Sequence, residues 1–147
     1  MKNLSMLFSV LLLLISCGGN SANNGESESI PGQVQNDPKK NKGIGPVKEV
    51  VLGDIDQAKV ALGKKDFNVY CTACHKIDED YIGPTPKGIL DRRSPEWVMN
   101  MILNPEEMVQ KDVDAKKLYE QFNMAPMANM GLSQEQARNV LEYFRTL

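Results

Sequence analysis

Residues 71–75 read Cys-Thr-Ala-Cys-His. Two thiols three positions apart, followed at once by an imidazole, admit a short menu of chemistry. A structural zinc site needs four nitrogen or sulfur ligands, yet His75 is the only histidine and Cys17 the only further cysteine. A dithiol oxidoreductase would place Cys71 and Cys74 after a strand and before a long helix, within alternating strands and helices. A plain disulfide leaves His75 without a role. The reading that uses all three side chains is covalent haem attachment: each thiol adds to one vinyl group, and the imidazole reaches the iron from the same side. One such motif means one haem, and one histidine means that the second axial ligand is not a histidine of this chain.

The elements around the motif read as helices. Residues 54–70 carry Ile55, Ala58, Leu62 and Val69 at helical spacing, which predicts a helix running into Cys71 with these residues as its apolar face. Ser94-Pro95-Glu96 is an N-cap with proline at the first helical position. The helix it opens holds Trp97, Val98, Met101 and Ile102. Asn104-Pro105-Glu106 repeats the start signal, and a further helix is expected over 112–122. Ser133-Gln134-Glu135-Gln136 reads as a capping box for a terminal helix with Ala137, Val140, Leu141 and Phe144 on one face. No alternating run or hairpin signal predicts a strand. The expected fold is all-α, with four or five helices over 54–147.

The N-terminus reads as targeting. Lys2 precedes an apolar run from Met6 to Ile15, too short to cross a bilayer and suited to a signal peptide over 1–16. Leu14-Ile15-Ser16-Cys17 resembles the bacterial lipobox, and that resemblance implies a lipid on Cys17 as the first mature residue. From there to residue 53 the chain is rich in Gly, Ser, Asn, Gln, Pro and charge. It reads as a flexible tether, with Val47–Leu52 able to form a short strand or an ordered lead-in instead. Charge is nearly balanced, 17 basic against 19 acidic residues, so no basic patch points to nucleic acid. Aromatics make up 6% of the chain, and a core so poor in large side chains suits completion by an apolar cofactor.

Over 54–147 the sequence resembles the class I c-type cytochromes. Gly63, Phe67 and Cys71 fall four apart, as in that family's first helix, and Gly83-Pro84 follows His75 as the family's turn does. The resemblance implies that Gly63 permits a close crossing of first and last helices, with Phe67 packed there against Tyr143 or Phe144. It implies that the Pro84 carbonyl receives the hydrogen bond of the ligating His75. It suggests Arg92 as a donor to a haem propionate, with Arg93 and the Trp97 indole N–H as competitors. The second iron ligand would be a methionine on a loop before the last helix. Met127, in Met124-Ala-Pro-Met127-Ala-Asn-Met130, has the matching position, with Met130 and Met124 as alternatives. Two departures stand out: Pro86 replaces the usual leucine, and Ala128 the usual proline after the ligand. Met99, Met101 and Met108 read as packing residues.

A His75/Met127 pair would saturate the iron and leave no place for substrate. The expected function is therefore non-enzymatic: single-electron transfer by a mono-haem protein, lipid-anchored and facing the periplasm, between a membrane donor and a terminal reductase or oxidase. The competing reading is a haem-based ligand binder, sensor or small peroxidase with a weak or open sixth position. Asp78-Glu79-Asp80 reads as a solvated loop or as part of a docking patch for a basic partner.

Overall fold

The computed structural model describes residues 37–147, so Cys17, the signal peptide and the first part of the tether lie outside the described residues. Among the described residues six helices form: α1 (Gln57–Tyr70), α2 (Ile89–Arg92), α3 (Pro95–Leu103), α4 (Pro105–Lys111), α5 (Val113–Gln121) and α6 (Gln134–Phe144). No strand occurs among the described residues. The single turn of α2 is the element that the sequence left unmarked.

The start signals work as their chemistry requires. The Asp56 side chain accepts the Ala58 and Lys59 N–H groups at the head of α1. Ser94 Oγ accepts the Trp97 N–H of α3 at 3.1 Å. Ser133 and Gln136 close both bonds of the capping box on α6. Pro105 stands at the start of α4, but Asn104 does not cap it; its amide donates to the Ile44 carbonyl and to Glu107 instead.

The fold turns on the crossing of α1 and α6. Gly63 meets the Asn139–Val140 backbone so closely that a Cβ there would fall on the Asn139 carbonyl. One turn further along, Phe67 is 2% exposed and lies 5.8 Å from Tyr143 and 5.7 Å from Phe144, centroid to centroid. The buried face of α1 is thus Gly63 and Phe67. This corrects the expected apolar face: Ile55, Leu62 and Val69 are exposed, and Ala58 is too. Backbone approach at a glycine and one well-packed ring decide the side that faces inward, not the count of aliphatic residues.

The tether boundary at residue 53 also needs correction. Residues 41–50 form a strap laid on α3 and α4, which is the lead-in alternative and not a strand. Asn100, 1% exposed, receives the Val47 N–H at 2.9 Å and donates to the Lys42 and Val47 carbonyls. Ile44 N–H donates to the Met108 sulfur, and Val47 joins the core cluster. Val50 N–H goes to Glu96. One buried amide satisfies three strap groups that would otherwise be costly to bury. The composition of the segment concealed this, since its anchors sit some 50 residues away in sequence.

Glu142 is fully buried on α6. It accepts the Asp56 N–H at 2.9 Å, pairs with Arg145 at 2.6 Å and with Arg138, and Arg145 also donates to the Gly53 carbonyl. Burial raises the carboxyl pKa, but the Asp56 N–H and the two guanidinium groups outweigh it and leave it below its ordinary value. The stabilisation is therefore complete above the ordinary glutamate value and is lost as pH falls through the lower, folded value. Glu142→Gln should flatten the acid limb of a stability–pH profile measured by denaturant unfolding. Gly63→Ala should lower stability by about 2–3 kcal/mol by overpacking the helix crossing, read from the same denaturation curves.

Candidate haem site

Cys71 closes α1, its N–H donating to the Phe67 carbonyl. The chain then turns so that the Cys74 and His75 N–H groups both reach the Cys71 carbonyl, at 3.1 and 2.9 Å. The helix end thus presents both thiols and the imidazole within one tight turn. Burial pushes the Cys71 thiol up to about 11, with Asp66 and Cys74 adding to the effect. Such a thiol is neutral at physiological pH, unlike the acidic nucleophile of dithiol oxidoreductases.

His75 Nδ1 lies 2.8 Å from the Pro84 carbonyl. A carbonyl only accepts, so Nδ1 carries the proton and Nε2 is left with its lone pair as the metal-binding nitrogen. Gly83 makes the approach possible: a Cβ there would stand 2.5 Å from the His75 Cε1. The Gly83 N–H returns to the Cys74 carbonyl at 2.9 Å and ties the turn to the motif.

Cys71, Cys74 and His75 line an apolar cavity, with about 1330 Å³ of space between its walls, part of it open to solvent. Phe67 and Val140 bring the α1–α6 crossing to the wall, and Trp97, Met101 and Ile102 bring α3. Pro86 lines it as well, so the departure from leucine keeps an apolar surface there. Apart from His75, the lining holds no ionisable acid, lysine or arginine; Tyr70, Thr85 and Tyr119 are its hydroxyl-bearing side chains. Two thiols, a free Nε2 and a wide apolar slot between helices fit a haem held by thioethers, with its apolar face buried.

The candidate methionines separate by position. Met127 is half-buried, lines the cavity and packs on the core cluster. Met130 also lines the cavity but is 45% exposed. Met124 is 62% exposed, sits at φ +58° and is not part of the wall. Met101 lines the cavity from α3, whereas Met99 and Met108 are buried in the core.

The three candidate propionate donors sit in different surroundings. The Trp97 indole N–H donates to Asp112 at 3.0 Å, and its ring lines the cavity, so Trp97 serves as wall. Asp112 also caps α5 through the Ala115 N–H and receives the Asn41 amide; nothing in the local sequence marks this convergence. Arg93 stacks over the Trp97 ring at 5.0 Å. The Arg92 guanidinium donates to the Thr85 and Lys87 carbonyls, each at 3.0 Å, and is not part of the cavity wall.

Residues 60–147 match the family model for cytochrome c. The chain belongs to the cytochrome c family. Among solved structures, a cytochrome c from Rhodothermus marinus is 47% identical, with a TM-score of 0.67, over 69% of this chain and 88% of that one. An engineered form of it, bound to a carbene intermediate, is 46% identical at a TM-score of 0.64, over 69% and 88%. A further structure of that engineered form, Rma TDE, is 45% identical at a TM-score of 0.65, over 69% and 89%. No curated protein matches the chain. Family membership supplies the cofactor and the general activity: haem c bound covalently through Cys71 and Cys74, and electron transfer.

In this cytochrome, Met127→Ala should abolish the far-red thioether band of the oxidised protein. Met124→Ala and Met130→Ala should retain it, as read by absorption spectroscopy.

Proposed function

We propose that this cytochrome is a membrane-tethered, periplasm-facing electron shuttle, taking single electrons from a membrane donor and passing them to a terminal reductase or oxidase. The observation that carries the reading is the make-up of the cavity. His75 and Met127 both line it, and no second acid or base accompanies them. A thioether ligand raises the haem potential and fills the remaining coordination position. When bound, the haem supplies a one-electron iron couple. His75 and Met127 would hold its iron, and the apolar wall of the cavity would limit water.

Anchoring rests on the sequence of the N-terminus. Lys2, the short apolar run and Leu14-Ile15-Ser16-Cys17 support export and lipidation of Cys17. Several acyl chains hold a protein at a membrane firmly, where one holds it marginally.

The second reading is a ligand binder with an open sixth position. It draws support from the engineered Rhodothermus marinus form, whose structure holds a carbene intermediate. Addition of carbon monoxide to the reduced protein decides between the two. The shuttle reading expects an unchanged spectrum; an immediate shift to a carbonyl-bound form at low ligand concentration sinks it. Cys17→Ala should move the protein from the membrane to the soluble fraction and abolish incorporation of labelled fatty acid, with the haem spectrum unaltered.

A further inference from the structure

The run Asp78-Glu79-Asp80 follows the haem motif, and the geometry gives each acid an internal partner. Asp78 pairs with Lys87 at 2.7 Å and Glu79 with Lys76 at 2.8 Å. Asp80 differs from both, because its Oδ1 accepts a backbone N–H, that of Thr85, at 2.8 Å. That N–H belongs to the peptide unit whose carbonyl is Pro84 O, the acceptor of the His75 Nδ1–H at 2.8 Å. No described peptide bond is cis. In a planar trans unit the N–H and C=O point in opposite directions. One rigid plane therefore connects the Asp80 carboxylate to the His75 ring.

We propose that Asp80 is a positioning residue for the proximal ligand, acting through the Pro84–Thr85 peptide to orient and strengthen the acceptor of the His75 proton. Two effects follow from the chain Asp80–peptide–His75. A carboxylate on the N–H fixes the rotation of the plane, so the carbonyl stays aimed at Nδ1. It also polarises the amide, because hydrogen bonds in a chain reinforce one another and those to ionised groups are the stronger. A stronger acceptor draws the Nδ1 proton and makes Nε2 more basic. A more basic ligand favours the oxidised iron, so Asp80 lowers the potential of the couple.

The flanking peptides are braced in the same way. Thr85 Oγ1 donates to the Ile77 carbonyl at 2.5 Å and accepts the Lys87 N–H at 3.2 Å. Arg92 holds the Thr85 and Lys87 carbonyls. On the other side Tyr81 N–H donates to the Gly83 carbonyl at 3.0 Å. Arg92 thus completes the frame around this turn.

The inference rests on His75 as the proximal ligand, and the test separates the two. The holoprotein is prepared as wild type, Asp80→Ala, Asp80→Asn and Asp78→Asn. The midpoint potential and the hydrogen-exchange rate of the His75 Nδ1–H are measured, the latter by NMR on its hyperfine-shifted signal. Asp80→Ala should raise the potential and speed exchange by roughly fivefold or more, the factor for losing one typical hydrogen bond. Asp80→Asn keeps an acceptor oxygen and should hold exchange near the wild-type rate, with a smaller rise in potential. Asp78→Asn removes the same charge from the same loop and should leave exchange unchanged. Equal potential shifts in all three variants with no change in exchange would mean that charge alone acts, and would overturn the proposal. A loss of thermal stability in Asp80→Ala without faster exchange would overturn it as well. If the wild type shows no protected imidazole N–H, the ligand assignment fails and this inference with it. Should Asp80→Ala not fold, Arg92→Ala takes its place: faster exchange with Arg92→Lys near wild type supports the frame, and unchanged exchange overturns it.

Discussion

The close approach of α1 and α6 at Gly63 is the contact on which the rest of the structure depends. It needs a residue without a Cβ, because the Asn139 carbonyl occupies the space a side chain would take. With the helices that near, Phe67 lodges between Tyr143 and Phe144, and the end of α1 is fixed against the terminal helix. The Cys71–His75 turn begins where α1 stops, so the same crossing sets the position of both thiols and the imidazole. Phe67 and Val140 then continue inward as cavity wall. A single glycine thus couples the packing of the domain to the placement of its chemistry.

The cavity is large because the chain does not fill it with its own side chains. Its walls are mostly aliphatic, aromatic and methionine residues, drawn chiefly from α1, α3, α5, α6 and the loop carrying Met127. In a domain of this size an apolar gap that wide would be a heavy penalty without an occupant. The covalent haem of the cytochrome c family is that occupant, which makes the cofactor part of the core. The shell around it is built on rigid supports. Trp97 is held from behind by Asp112, and the strap over α3 and α4 is held by Asn100 and Met108. Asp112, Asn100 and Met108 stand outside the cavity wall and steady the residues that form it.

Much of the site was legible before any coordinates. The Cys-x-x-Cys-His spacing, the single histidine, the Gly83-Pro84 turn and the methionine loop are local signals, and the structure brings them to one cavity. Helix starts at Ser94 and Ser133 were legible for the same reason: a cap is a bond between neighbours in sequence. The misreadings share the opposite property. The aliphatic residues of α1 looked like its core face but are exposed, since the neighbouring helix selects the side with the glycine. Residues 41–50 looked like tether because their composition is polar, and the amide that binds them belongs to α3. The partners that Arg92 and Trp97 hold in the fold, Thr85, Lys87 and Asp112, are likewise set by how loop and helix ends meet.

The sequence by itself determined the chemistry: one covalent haem on two cysteines beside a lone histidine, and helices with legible starts. Those features depend on residue type and short spacing, which a one-dimensional chain carries in full. The tertiary structure decided which face of α1 is inside, where the folded part begins, which methionines reach the cavity, and what the polar groups around the proximal turn hold. Each of these is a choice among partners distant in sequence. Such choices are settled by where backbones can approach and which buried donors find acceptors. Asp80 shows the difference most plainly. In sequence it is one acid of three, and only the fold sets it across a single peptide plane from the ligand of the iron.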